Sequence, residues 1–404
     1  MHQPLEDITI LDLSRVYAAP AGTMILGDLG ADVIRIEPPG GSDSMREWGP
    51  FVNGESTYYF SANRNKRSIV LNLKTERGRA LFLQLVKKAD VVVENFKTGT
   101  MERLGLSYDV LKDVNERIIM CSVTGFGQSG PLKNEPGFDP VIQAMSGLMD
   151  VTGSEDGEPT KVGVPISDIL TSHFVAISII AAIRQRDFTG KGQYIDLSLL
   201  DVQVSSLANV SSSYLNAGYR SRRLGNRHNN VTPYQVFYCK DRPIMLCAGS
   251  NQQFQKLCDI LGHPEWKTDP KFSTNEKRKK YETELTQKIA TIMKTENAEE
   301  WLKIFSQEKI PAGIVNTVEE ALNSPQIQAR DAIEVLQHPV IGEIKMTRNP
   351  LRFSGLNITS KYPPPLIGEH TAEVLSEYLD LAKKDIENLE KAGVIQCNEL
   401  IVHE

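Results

Sequence analysis

A chain of 404 residues, 40% hydrophobic and 24% charged, has the make-up of an ordinary globular protein with room for two domains. A net charge of −6 lacks the basic footprint of a nucleic-acid binder. The five cysteines form no CxxC pair and the seven histidines no HExxH-type spacing, which argues against a disulfide framework and a metal site.

The opening residues 1–7 carry no secretory leader pattern and run straight into a strand-like segment. No wholly apolar stretch reaches membrane-spanning length, and the most apolar helix is interrupted at Arg184. Together with the unpaired cysteines, these features lead us to expect a cytoplasmic protein with neither membrane nor nucleic-acid partner.

Residues 8–13 read as a buried strand, 21–29 as a helix stopped by Gly30, and 32–37 as a second strand. Strand, helix and strand within about thirty residues make a βαβ unit and predict a parallel sheet. The intervening loop has no GxGxxG; Tyr17 and Pro20 stand where a dinucleotide site needs glycines. Glu37 holds the place of a ribose-binding acid, although a strand-ending Glu is commonly just solvated. Strands over 67–73, 91–95 and 118–123 and a helix over 75–88 continue the alternation.

A GxGxxG does occur at Gly125–Gly130, but Pro131 and Pro136 follow it where a helix is required. It reads instead as a loop whose glycines permit close backbone approach.

An extended segment, 162–166, then leads into Ser167-Asp168 and an apolar helix over 174–183. Asp168 sits at the mouth of that helix, where N–H groups are unpaired and the dipole favours negative charge. Two readings stand. Asp168 or Ser167 is the N-cap, or Asp168 is a nucleophile that the helix mouth keeps ionised.

Residues 193–198 form a further strand and 200–216 a helix. The tract 220–230, with four arginines, reads as a solvated connection or a phosphate site. A hairpin over 236–247 and helices over 252–261, 277–294 and 298–307 make this part α+β. Strand content returns around 340–346, and helices over 371–381 and 384–392 follow. The expected domains are therefore 1–218, 219–330 and a C-terminal return, 331–404, to the first.

These residues resemble the class III CoA-transferases, the CaiB/BaiF type, over nearly the full length. The likeness is carried by Leu11-Asp12-Leu13-Ser14-Arg15-Val16, Asn63-Arg64-Asn65-Lys66-Arg67-Ser68, Val93-Glu94-Asn95-Phe96, Gly125-Phe126-Gly127-Gln128-Ser129-Gly130-Pro131 and Pro365-Leu366-Ile367-Gly368-Glu369-His370-Thr371. Among branches, Glu55-Ser56-Thr57-Tyr58-Tyr59-Phe60 and Gly249-Ser250-Asn251-Gln252-Gln253-Phe254 look most like the succinyl-CoA:glutarate CoA-transferases.

The resemblance implies a Rossmann-like open sheet built from both chain ends, a smaller inserted α+β domain, and an interlocked homodimer. It makes Asp168 the catalytic aspartate, forming a mixed anhydride with the acyl group of an acyl-CoA before CoA passes to a free carboxylic acid. It maps CoA contacts onto Val16, Leu71, Leu73, Lys74, Asn95, Phe96 and Arg103, with Tyr17, Gly125, Gly127 and Phe138 along the substrate loop. CoA is then a co-substrate, and no metal is required.

Pro38 replaces a basic residue frequent in the family, and Arg35 is the nearby cation placed to substitute. Backbone amides of 125–130 are candidate oxyanion donors. Arg64, Arg223 and Arg227 are candidates for an acceptor carboxylate. Two alternatives remain. An α-methylacyl-CoA racemase needs a second base, which Phe138 cannot supply, and a non-catalytic CoA-binding protein would not need Asp168.

Overall fold

The structure is a computed structural model that describes residues 2–398. Residues 2–148, 162–211 and 328–398 form one compact unit, and Met149–Lys161 with Ser212–Ile327 form a second.

The first unit is organised on a seven-stranded sheet. Its strands are β1 (Thr9–Asp12), β2 (Asp32–Glu37), β3 (Lys66–Leu71), β4 (Val91–Glu94), β5 (Ile119–Thr124), β6 (Tyr194–Ser198) and β7 (Ile395–Gln396). Their spatial order is β7-β3-β2-β1-β4-β5-β6. All neighbours are parallel except β7, which pairs antiparallel with β3 and so brings the C-terminal part of the chain to the sheet of the N-terminal part.

Successive strand residues point to opposite faces, and both faces are covered. On one face Leu11, Ile34 and Ile69 pack with Phe82 and Leu85 of helix α2 (Glu76–Lys88), and with Val374 and Leu389. On the other, Ile10, Val33 and Val91 pack with Leu26 of α1 (Ala18–Asp28) and with Val175 and Ile179 of a long later helix. Gly22 permits that approach: a Cβ there would lie 2.6 Å from Val175 Cβ.

Several expectations need correction. Helix α1 begins at Ala18, because Pro20 falls in the first turn, where its missing N–H costs nothing. The long helix runs Ile166–Thr189, straight through Arg184, and by length and apolar content it matches a membrane span. Its inner face nonetheless belongs to the sheet layer, where Arg186 pairs with Asp90 at 2.8 Å. The stretch 200–216 is two helices, Leu199–Ser205 and Asn209–Ala217, parted near Ala208, whose φ is +49°. The stretch 277–294 is likewise two, Asn275–Lys280 and Glu282–Met293.

In the second unit, Tyr234–Tyr238 and Pro243–Cys247 pair as an antiparallel hairpin, with Ala312–Ile314 on the far side of the second strand. Phe237, Leu246, Phe254, Leu257 and Phe305 make its separate core. The arginine tract is not a free linker. Arg223 donates to the Asp150 carbonyl at 3.0 Å, and Arg222 and Arg227 pair with Glu155.

Candidate active site

A cleft of about 430 Å³ opens at the carboxyl ends of β1, β4 and β5, the edge where open α/β sheets bind ligands. Its walls include Val16, Tyr17, Asn95, Phe96, Gly125, Phe138 and Asp168. Leu71, Leu73, Lys74, Arg103 and Gly127 lie outside it. Leu71 is buried in β3, Leu73 packs on the core below, and Lys74 and Arg103 are exposed. The cleft also holds Arg15, Lys97 and Lys133, cations to which the sequence reading assigned no role.

Asp168 is the third residue of α4 (Ile166–Thr189), whose N-cap, Pro165, has no side chain able to bond the free amides. The cap comes from elsewhere. Asp139, at the start of α3 (Asp139–Met145), accepts from Ser167 N–H at 2.7 Å and from Asp168 N–H at 3.3 Å. Its other oxygen accepts from Gln143 Nε2 at 2.6 Å, and Gln143 Oε1 accepts from Val162 N–H at 2.8 Å. The capping reading of Asp168 therefore fails, because a residue 29 positions earlier does that work and leaves the Asp168 side chain facing the cleft.

Nor does the helix mouth keep Asp168 fully ionised. Burial, and then the Asp139 carboxylate, push it up to about 7. Tyr17 and Tyr58 sit close enough for Asp168 to act on both: burial raises each phenol first, and the Asp168 charge adds to it. Tyr58 packs edge-on against Tyr17 at 6.3 Å and against Trp48 at 5.4 Å. Tyr58 was legible only as part of the run 55–60; nothing in the sequence marked it as a neighbour of Asp168.

The floor of the cleft is held by its neighbours. Val16 adopts φ +63°, costly for a β-branched residue, and Asp43 Oδ1 accepts its N–H at 3.1 Å. Asn95 accepts from Arg15 N–H at 2.8 Å and donates to Arg15 O at 2.6 Å. The Arg15 guanidinium lies 5.0 Å over the Phe96 ring.

Three side-chain expectations change. Arg35 is wholly buried and bonded to Asp43 and Asn63, so it cannot replace the cation missing at Pro38. Glu37 is neither solvated nor free for a ribose: it takes a fork from Arg46, at 3.1 and 2.8 Å. In the glycine loop, Gly127 N–H is held by Thr124 Oγ1 and Gln128 N–H by Asp196, so neither amide is free for an oxyanion. What the glycines approach is backbone: a Cβ on Gly125 would stand 2.5 Å from Gly137 Cα.

Of the arginine candidates, Arg64 forks onto Asp28 at 2.9 and 2.6 Å. It also lines a second cavity of about 440 Å³, which shares Tyr17 with the first and is bordered by Thr57, Ser61 and Lys345. Arg223 and Arg227 are engaged by Asp150 and Glu155. Among the described residues, no group of three or more His, Cys, Asp or Glu side chains is arranged to hold a metal ion.

A three-layered α/β domain with a carboxyl-lined cleft at its sheet edge fits an enzyme acting on an activated acyl group. The chain belongs to CoA-transferase family III, whose model matches residues 5–371. It is 41% identical to the mouse (Mus musculus) succinyl-CoA:glutarate CoA-transferase over 398 residues, 98% of this chain and 91% of that one. It is 40% identical to an acetyl-CoA:oxalate CoA-transferase of Acetobacter aceti, covering 93% and 96%. A CaiB/BaiF family protein from Brucella suis superposes with a TM-score of 0.84 at 38% identity, over 94% of this chain and all of that one. The protein is thus a transferase that uses CoA thioesters.

Proposed function

We propose that the protein moves CoA between an acyl-CoA and a free dicarboxylate, of the succinate and glutarate kind, through a covalent anhydride on Asp168. The observation that carries this reading is a cleft-facing carboxylate freed from capping by Asp139. The acids named for the mouse relative support the substrate class.

An ionised Asp168 oxygen attacks the thioester carbonyl, the C–S bond breaks, and CoA leaves as thiolate. The thiolate then attacks Cγ of Asp168, which releases the first acid with an Asp168 oxygen and leaves an aspartyl thioester. The acceptor carboxylate attacks that thioester and expels the thiolate again. Attack of the thiolate on the acceptor's own carbonyl gives the new acyl-CoA and restores Asp168. No net proton or redox change occurs. Because the two acids exchange oxygen through Asp168, an ¹⁸O-labelled acceptor delivers label to the released acid on a following turnover.

Val16, Asn95 and Phe96, in the cleft wall, are the side chains we assign to CoA, with the exposed cations Lys74 and Arg103 as candidates for its phosphates; Leu71 and Leu73 belong to the core. Arg64 borders the second cavity beside Tyr17, but Asp28 and the Thr347 carbonyl engage its guanidinium, so Lys97 and Lys133 of the cleft are the candidates for the distal carboxylate. A homodimer, interlocked in the manner of the family, is part of the reading. The outer face of α4 presents Phe174, Ile177, Ile180 and Phe188 to solvent, which supports such a contact. A cytoplasmic location completes it.

The test is Asp168→Asn with exchange followed by mass spectrometry. CoA binding survives and exchange is lost, while hydroxylamine added during wild-type turnover leaves a hydroxamate on Asp168. Exchange at the normal rate in the variant refutes the covalent route.

A further inference from the structure

Glu94 ends β4, directly before the Asn95–Phe96 turn in the cleft wall. It is only 3% exposed, and among the described residues no ion pair includes it. One oxygen accepts the Phe96 N–H at 2.7 Å. The next residue, Asn95, clamps both backbone polar groups of Arg15, and Phe96 carries the Arg15 guanidinium on its ring. Three consecutive side chains thus hold one turn against the strained Val16 segment.

The groups facing Glu94 come from three other elements. They are Glu102 of the helix Thr100–Arg103, Ser122 and Cys121 of β5, and Tyr194 of β6; Asp196 lies beyond, close enough to act on Cys121 and Tyr194. None is a cation. The buried Ser122 hydroxyl has no well-aligned hydrogen bond. Burial pushes the Glu94 carboxyl up to about 7, against Ser122 and the Phe96 amide, which favour the anion.

We propose that Glu94 is a positioning residue for CoA. As a carboxylate it draws in the Phe96 amide and fixes the Asn95–Phe96 turn, and on protonation it hands its new O–H to Ser122 and slackens that turn. Affinity for CoA then falls as pH drops through neutrality, although Glu94 never touches the ligand. The proposal rests on the reading that this turn contacts CoA.

The test is CoA titration by calorimetry from pH 6 to 8.5 for wild type, Glu94→Gln and Asn95→Ala. Gln stands in for the protonated acid. It is expected to bind CoA about fivefold more weakly than wild type at pH 8, roughly the worth of one hydrogen bond, and to match it at pH 6. Titration of CoA itself and of Asp168 is common to both proteins, so the difference isolates Glu94. Equal affinity and an equal pH profile in the two overturn the proposal, provided Asn95→Ala weakens binding. If Asn95→Ala binds normally, the CoA reading of the turn fails, and the proposal with it. Glu94→Asp, which keeps the charge, retains the wild-type pH dependence and controls for a packing defect.

Discussion

Asp12 and Glu37 on one side, and Glu94 and Asp168 on the other, are carboxyls withdrawn from water around the same sheet, yet they hold protons differently. Burial pushes Asp12 up, but Lys66 and Arg35, with the Ser14 and Thr23 hydroxyls, outweigh it and leave the group lowered. Glu37 goes the same way, down to about 2, under Arg35 and Arg46. Glu94 and Asp168 have no such cation, and burial carries both up to about 7. Low exposure alone does not set charge; the partner does. One pair builds the scaffold, and the other remains chemically open at working pH.

The comparison breaks most visibly at Asp168. Asp168→Asn should lower exchange by about a thousandfold or more, the scale for losing a covalent nucleophile, with CoA affinity within about twofold of wild type. Steady-state assays and calorimetry measure the two halves. An intermediate loss of about tenfold would leave Asp168 as a group that merely helps orient the thioester.

The scaffold pair gives the next largest effect, on folding rather than rate. Lys66 Nζ and Asp12 Oδ2 lie 3.0 Å apart with both side chains fully buried. Lys66→Met strands Asp12 and should cost about 3–5 kcal/mol in urea unfolding, the usual result of removing one member of a buried pair. A cost below about 1 kcal/mol would mean that Arg35 and the two hydroxyls suffice alone.

How far this division was legible in the sequence depends on how local each cause is. Strands 32–37 and 91–95 announced themselves by apolar, β-branched runs, and the observed β2 and β4 match them within a residue. The apolar run after Asp168 likewise gave the helix. The cap of that helix did not show, because Asp139 arrives from another helix, and Pro at 165 gives no hint of what replaces it. Lys66 and Asp12 are 54 positions apart, so their pairing follows from strand order, which no local pattern encodes. Arg35 looked like a spare cation for the same reason: Asp43 and Asn63, which use it up, are identifiable only once the chain is folded.

A smaller effect comes from the loop. A Cβ at Gly137 would stand 2.6 Å from Gly125 Cα, and backbone cannot swing aside as a side-chain tip can. Gly137→Ala should displace the segment that leads into Phe138 and Asp139 and lower kcat by about tenfold, the scale of a small misplacement. Thermal unfolding measured in parallel separates this from general damage.

The finest test of the comparison is pH. An ionised Asp168 is the competent form, so kcat/KM should fall about tenfold per unit below its value near 7 and level off above. Asp139→Asn keeps an oxygen for the two amides but removes the like charge, and should move the profile to lower pH. Stability runs the other way. A carboxyl whose folded value lies above its unfolded one binds more protons when folded, so its contribution is full below about pH 4 and is lost as pH rises through about 7. Asp168→Asn lacks that loss, so its melting temperature relative to wild type should rise across this window. Scaffold carboxyls such as Glu37 have the opposite sign, losing their contribution as pH falls toward about 2. Glu37→Gln should therefore differ most from wild type near neutrality and converge with it in acid, the mirror image of Asp168→Asn.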